Sequence, residues 1–141
     1  MSKLRQVGIW IDRRRAVIVS LDADEARVKT IKSGLAPRVR MAGGSRTKSI
    51  FGPQDVASES RRDRKHESAL GAYYERVVSS LGDADAILIL GPGESKRGLL
   101  DQIQASHRYR KTSTHMVTTD KLTEPQIVAH VKSHFGRSLR R

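Results

Sequence analysis

At 141 residues the chain fits one domain, 1–141, with room to bury about two-thirds of its unfolded surface. Its 27 Lys and Arg against 15 Asp and Glu give a net charge of +12, which favours a polyanionic partner, nucleic acid first, over a neutral small-molecule substrate. The absence of cysteine excludes disulfides and thiolate metal sites. No apolar run approaches the roughly 18 residues of a membrane span, and residues 1–15 hold no signal-peptide core, so the expectation is a soluble, cytoplasmic protein with no membrane partner.

The first strand is read from Val7, Ile9 and Ile11 on one side with Gly8 and Trp10 on the other, closed by a charged turn over Asp12 to Arg15. Ala16 to Leu21 gives a second strand and Ala26 to Ile31 a third, joined by the turn Asp22-Ala23-Asp24-Glu25. The three form an antiparallel meander. Arg27 and Lys29 on the third mark it as a sheet edge guarded against pairing with other chains.

Residues 33–57 have no sustained period, carry four glycines with Pro37 and Pro53, and read as a long basic loop. From Lys32 to Lys65 nine basic residues (Lys32, Arg38, Arg40, Arg46, Lys48, Arg61, Arg62, Arg64 and Lys65) face three acids, Asp55, Glu59 and Asp63. The excess of +6 is half that of the whole chain. Basic side chains beside glycines and one aromatic, Phe51, suit a loop that enters between RNA phosphates and bases. The alternative is a solvated loop whose charge aids solubility only.

A helix beginning between Asp55 and Arg64 is expected from Leu70, Tyr73, Tyr74, Val77, Val78 and Leu81 at three- and four-residue spacing up to Gly82. Its first turns are polar and basic, and project beyond the core. The four aliphatics Ile87 to Leu90 leave no polar face and read as a strand buried on both sides. Gly91-Pro92-Gly93 turns the chain, and Glu94 to Arg97 open a helix bearing Leu99, Leu100 and Ile103. Gly91, Gly93, Ser95 and Lys96 thus form a candidate anion-binding turn, with a purely structural turn as the alternative. It does not match the Walker pattern, since Arg97 follows Lys96. A fifth strand is expected within Lys111 to Thr118. A last helix starts at the capping box Thr123-Glu124-Pro125-Gln126 and stops at Gly136, leaving 137–141 as a frayed basic tail.

The resulting fold class is α/β: a mixed five-stranded sheet, meander first and then helix-strand-helix-strand-helix, with helices on its faces. That order resembles the ribonuclease-H-like middle domain of eukaryotic and archaeal class-1 peptide-chain release factors and Pelota, also seen in small bacterial single-domain proteins of the "translational machinery" type. The residues carrying the resemblance are Val7 to Asp12, Gly43-Gly44-Ser45-Arg46, Phe51-Gly52-Pro53-Gln54 and Ala84 to Lys96. Release factors carry Gly-Gly-Gln in the matching loop and use it to promote peptidyl-tRNA hydrolysis. Here Gly43 and Gly44 match, while Ser45 stands in place of glutamine.

The resemblance implies an RNA-binding, ribosome-associated protein acting in translation by occupancy, of a hibernation or rescue kind, without chemistry of its own. Its contacts with ribosomal RNA or the tRNA acceptor end would come from Arg38, Arg40, Gly43, Gly44, Ser45, Arg46, Lys48, Arg61, Arg62, Arg64 and Lys65. The alternatives are a peptidyl-tRNA hydrolase using Gly43-Gly44-Ser45 and a general nucleic-acid-binding module. A nuclease reading would need acids such as Glu67 or Glu75 to face Asp12, which reads better as a turn residue. His130 and His134 stand four apart but lack an evident third ligand, so a helix-surface pair is expected. No catalytic residue, metal or cofactor is assigned.

Overall fold

The computed structural model describes residues 5–22, 25–35 and 53–139, with side chains except those of 53–63, 66 and 137–139. Five strands, β1 (Gln6–Ile11), β2 (Arg15–Asp22), β3 (Glu25–Lys32), β4 (Ala86–Gly91) and β5 (Ser113–Thr118), form one sheet in the order β3-β2-β1-β4-β5. The meander pairs antiparallel, Ile9 opposite Ile18 and Ile18 opposite Lys29, while β1–β4 and β4–β5 pair parallel, Ile9 opposite Ile89 and Ile89 opposite Met116. This is the expected mixed α/β sheet, with β3 as the charged edge.

Because side chains alternate along a strand, the sheet builds a core on each face. Val7, Ile9, Ile11, Ile18, Ile87 and Ile89 pack with Tyr73 and Val77 of α1 (Pro53–Ser79) and Leu99 and Ile103 of α2 (Ser95–Ala105). Trp10, Val17, Val19, Leu88 and Leu90 pack on the other face with Ile127, Val131 and Phe135 of α3 (Glu124–Leu139). Helix α3 sits close enough that a Cβ on Gly8 would overlap the Val131 side chain.

The helix ends differ from expectation in two places. Helix α1 begins at Pro53, so residues 53–57 of the expected 33–57 loop are helical and Arg61 to Lys65 lie beyond its first two turns. Proline's fixed φ and missing N–H suit a first helical turn, and a solvated start needs no apolar periodicity to reveal it. Helix α3 runs through Gly136 to Leu139, so most of the expected tail is helical. Gly136 is not among the glycines with positive φ, and a glycine that keeps helical dihedrals lowers propensity without ending a helix. The capping box is as expected: the Thr123 amide donates to Gln126 Oε1 at 2.9 Å and the Gln126 amide to Thr123 Oγ1 at 3.4 Å.

Candidate functional site

The carboxyl ends of β1 and β4 lie side by side, and from them the chain leaves in opposite directions, toward β2 and toward β5. In open α/β sheets such a switch point is the usual place for a ligand crevice. The end of the sheet containing it, here the crest, is where the local rules of the sequence bring several turns together.

Asp12 shapes the first of them. Its Oδ1 accepts the amide N–H groups of Arg14 and Arg15, each at 2.8 Å, and its own amide donates to Arg15 O at 3.0 Å. Asp12 is therefore a turn residue, which leaves Arg13 and Arg14 exposed at the tip. Arg15 is half-buried, its guanidinium 5.3 Å from the Trp10 ring centroid and its Nη2 donating to Leu122 O at 3.4 Å. Trp10 is fully buried and donates from Nε1 to Asp120 O at 3.3 Å, tying the β5–α3 connection to β1.

Helix α1 is anchored to the crest by Tyr73, which is fully buried and donates its hydroxyl to Asp12 O at 3.1 Å. Arg76 donates to Ser33 O at 2.9 Å and lies over the Tyr73 ring, while the Ser33 amide donates to Arg14 O at 2.8 Å. The chain leaving β3 is thus held between the Arg13–Arg14 turn and α1. Arg64 and Lys65 are exposed, and at 1.5 Å per residue they stand about 13 Å along α1 from this anchor.

Burial, and then the negative charge of Asp12, push the Tyr73 hydroxyl well above its ordinary pKa of 10.0. A raised folded-state value adds stability that is complete below the unfolded value and is lost as pH rises past it. Tyr73→Phe is expected to cost about 1 kcal/mol at neutral pH through the lost hydrogen bond, and to flatten the fall in stability above about pH 10. Urea melts at pH 7 and through the alkaline range test this; an unchanged alkaline slope in the variant would count against it.

The exposed basic residues of the crest are Arg13, Arg14, Lys32, Arg64, Lys65, Arg97 and Lys121. Among the described residues its exposed acids are Glu94 just before α2, Asp120 and Glu124 toward β5 and α3, and Glu67 and Glu75 on α1. The half built from the β1–β2 turn, the end of β3 and the projecting part of α1 is therefore the basic half. Reading by segment missed Arg13, Arg14 and Lys121, because it is the topology that brings four connections to one end. Of the sequence-derived residues, Arg38, Arg40, Gly43, Gly44, Ser45, Arg46 and Lys48 lie outside the described residues, in the stretch joining this half of the crest to α1. Arg61 and Arg62 lie on the described backbone of α1.

At the switch point Gly91 has φ +144° and its Cα faces the backbone of Ile11 so closely that a Cβ would overlap the Ile11 carbonyl oxygen. Gly93 has φ +65°, Ser95 and Lys96 are buried, and Lys96 Nζ donates to Gly93 O. Glu67 and Glu75 are exposed on α1, and among the described residues no three His, Asp or Glu side chains are grouped to hold a metal ion. His134 lies 5.6 Å from the His115 ring on β5 and 5.0 Å from Phe135, measured between centroids. No described helix is long and apolar enough to cross a membrane.

No family model matches the sequence, and no curated protein matches it. Among solved structures, Pelota of Archaeoglobus fulgidus is similar with a TM-score of 0.55 and 13% identity over 94% of this chain and 32% of that one. An archaeal translation termination factor is similar with a TM-score of 0.45 and 15% identity, over 96% of this chain and 40% of its own. The chain thus spans about a third of the length of the Pelota chain, and what it shares with that third is the fold.

Proposed function

We propose that this protein is a cytoplasmic, ribosome-associated RNA-binding protein that acts in translation by occupying a site rather than by chemistry of its own. The observation that carries the reading is the basic half of the crest, where Arg13, Arg14, Lys32, Arg64 and Lys65 are exposed around the point from which the basic stretch emerges. Its partner is ribosomal RNA or the acceptor end of tRNA, as the resemblance to release-factor middle domains implies. Arg38, Arg40, Arg46, Lys48, Arg61 and Arg62 extend the same charge, and Gly43, Gly44 and Ser45 supply a backbone able to approach RNA closely. Without the glutamine of Gly-Gly-Gln, binding is retained and hydrolysis is not.

The test is co-sedimentation of the full chain with purified ribosomes across a salt series, beside a variant with Arg61, Arg62, Arg64 and Lys65 changed to Ala. Saturable binding is expected, with a log–log salt slope of about −4, corresponding to roughly six phosphate contacts. In the variant the slope falls to about −1 if all four residues meet phosphates. Protein left in the supernatant at physiological salt, or bound no better than to random RNA, would overturn the ribosomal reading. Peptidyl-tRNA cleavage that is lost on Gly44→Ala would replace it with the hydrolase.

A further inference from the structure

The turn between β4 and α2 contains polar groups that the chain itself leaves unused. Ser95, the first residue of α2, is 4% exposed, and its hydroxyl has no hydrogen-bond partner among the described residues. A buried hydroxyl without a partner is costly. Side chains in a helix lean toward its N-terminus, so this one leans toward the turn. Lys96 is 8% exposed, and its ammonium meets only the Gly93 carbonyl, with no carboxylate paired to it among the described residues.

The backbone presents the same surplus. The first amide of α2 with an acceptor is that of Arg97, which donates to Glu94 O at 3.0 Å; those of Glu94, Ser95 and Lys96 find none among the described residues. Gly93 with left-handed φ is followed by Glu94 in the right-handed region, at φ −95° and ψ −13°, an alternation that turns successive N–H groups into an anion-binding concavity. The macrodipole of α2 adds partial positive charge at the same place.

We propose that this turn is a phosphate seat, with the amides of Glu94, Ser95 and Lys96 around the group, the Ser95 hydroxyl and Lys96 ammonium forming its floor, and Gly93 and Glu94 its exposed rim. The inference rests on the turn itself and is independent of the ribosomal reading. Glu94 is the one acid on the rim; its side chain makes no capping bond to α2, so it is free to turn outward, and it weakens the site by its charge.

The test is a two-dimensional amide NMR titration of the full chain at constant ionic strength, with inorganic phosphate in one arm and a short single-stranded RNA in the other. Saturable shifts are expected, confined to the amides of 93–97 in the phosphate arm and including those amides in the RNA arm. Ser95→Ala raises the dissociation constant roughly tenfold and Glu94→Gln lowers it roughly threefold, with the remaining spectrum unchanged in both. Saturation by RNA at lower concentration assigns the seat to a nucleic-acid backbone; saturation by phosphate alone assigns it to a free phosphate. Linear shifts in both arms, or titrations that neither variant alters, would overturn the proposal and leave a turn that only reverses the chain. Because the readout is local to 93–97, it stands or falls apart from ribosome binding.

Discussion

Gly91→Ala is expected to destabilise the protein by about 4 kcal/mol, the sum of two separate penalties. The φ of +144° lies where side chains are strained, worth roughly 1–3 kcal/mol. The new methyl would also overlap the carbonyl of Ile11, which cannot rotate away because it belongs to β1, and overpacking of this kind costs roughly 1–3 kcal/mol more. Gly93→Ala is the control: its φ is +65° and nothing lies within 4 Å of the added Cβ, so only the smaller backbone strain of about 1 kcal/mol remains. Urea unfolding of both variants decides the matter. Equal, mild losses would mean that β1 and β4 do not approach at the switch point as described.

Trp10→Ala should be comparably severe, at about 4 kcal/mol, the range for emptying a fully buried Trp site. Trp10 ties β1 to the β5–α3 connection. It packs among Val17, Val19, Leu88, Leu90 and Val131, donates to Asp120 O and carries the Arg15 guanidinium on its ring. Trp10→Phe keeps much of the apolar volume and loses the N–H, and is expected to cost about 2 kcal/mol. Hydrogen exchange adds a local readout: in both variants the amides of 119–123 should lose protection relative to those of β2. A loss below 1 kcal/mol for Trp10→Ala would show that the α3 face contributes little to the cooperative core.

The strands were legible because two-residue alternation is a strong signal when both faces are covered. Val7, Ile9 and Ile11 do enter one core and Trp10 the other, and the four aliphatics from Ile87 to Leu90 divide between the two. The start of α1 was not legible: its first turns carry solvated residues, and periodicity registers only where the helix meets the core at Leu70. Tyr73 counted as an apolar position, yet its hydroxyl donates to Asp12 O at 3.1 Å. A pattern of hydrophobic spacing carries no information about such tips.

For the site, the turn from Gly91 to Lys96 was legible residue by residue, because glycine and proline declare their dihedrals. The crest was not. Arg13 and Arg14 looked like an ordinary charged turn, and they join Lys32, Arg64 and Lys65 only once β1 is known to lie between β2 and β4. Residues 36–52, which hold Arg38, Arg40, Arg46 and Lys48, lie outside the described residues.

The two neighbours of β1 are reached over very different lengths of chain: Gln6 pairs with Leu21 on one side and with Ala86 on the other. The meander closes over short connections, so it can form while the rest of the chain is still open, and the parallel pairing that completes the sheet must wait for the segment between β3 and β4 to be gathered in. The entropy of that closure grows only with the logarithm of its length, about 0.6 kcal/mol for each doubling. Insertions and deletions between β3 and α1 are therefore cheap for folding. The scaffold can vary the length and charge of the segment that leaves its crest without repacking either face of the sheet.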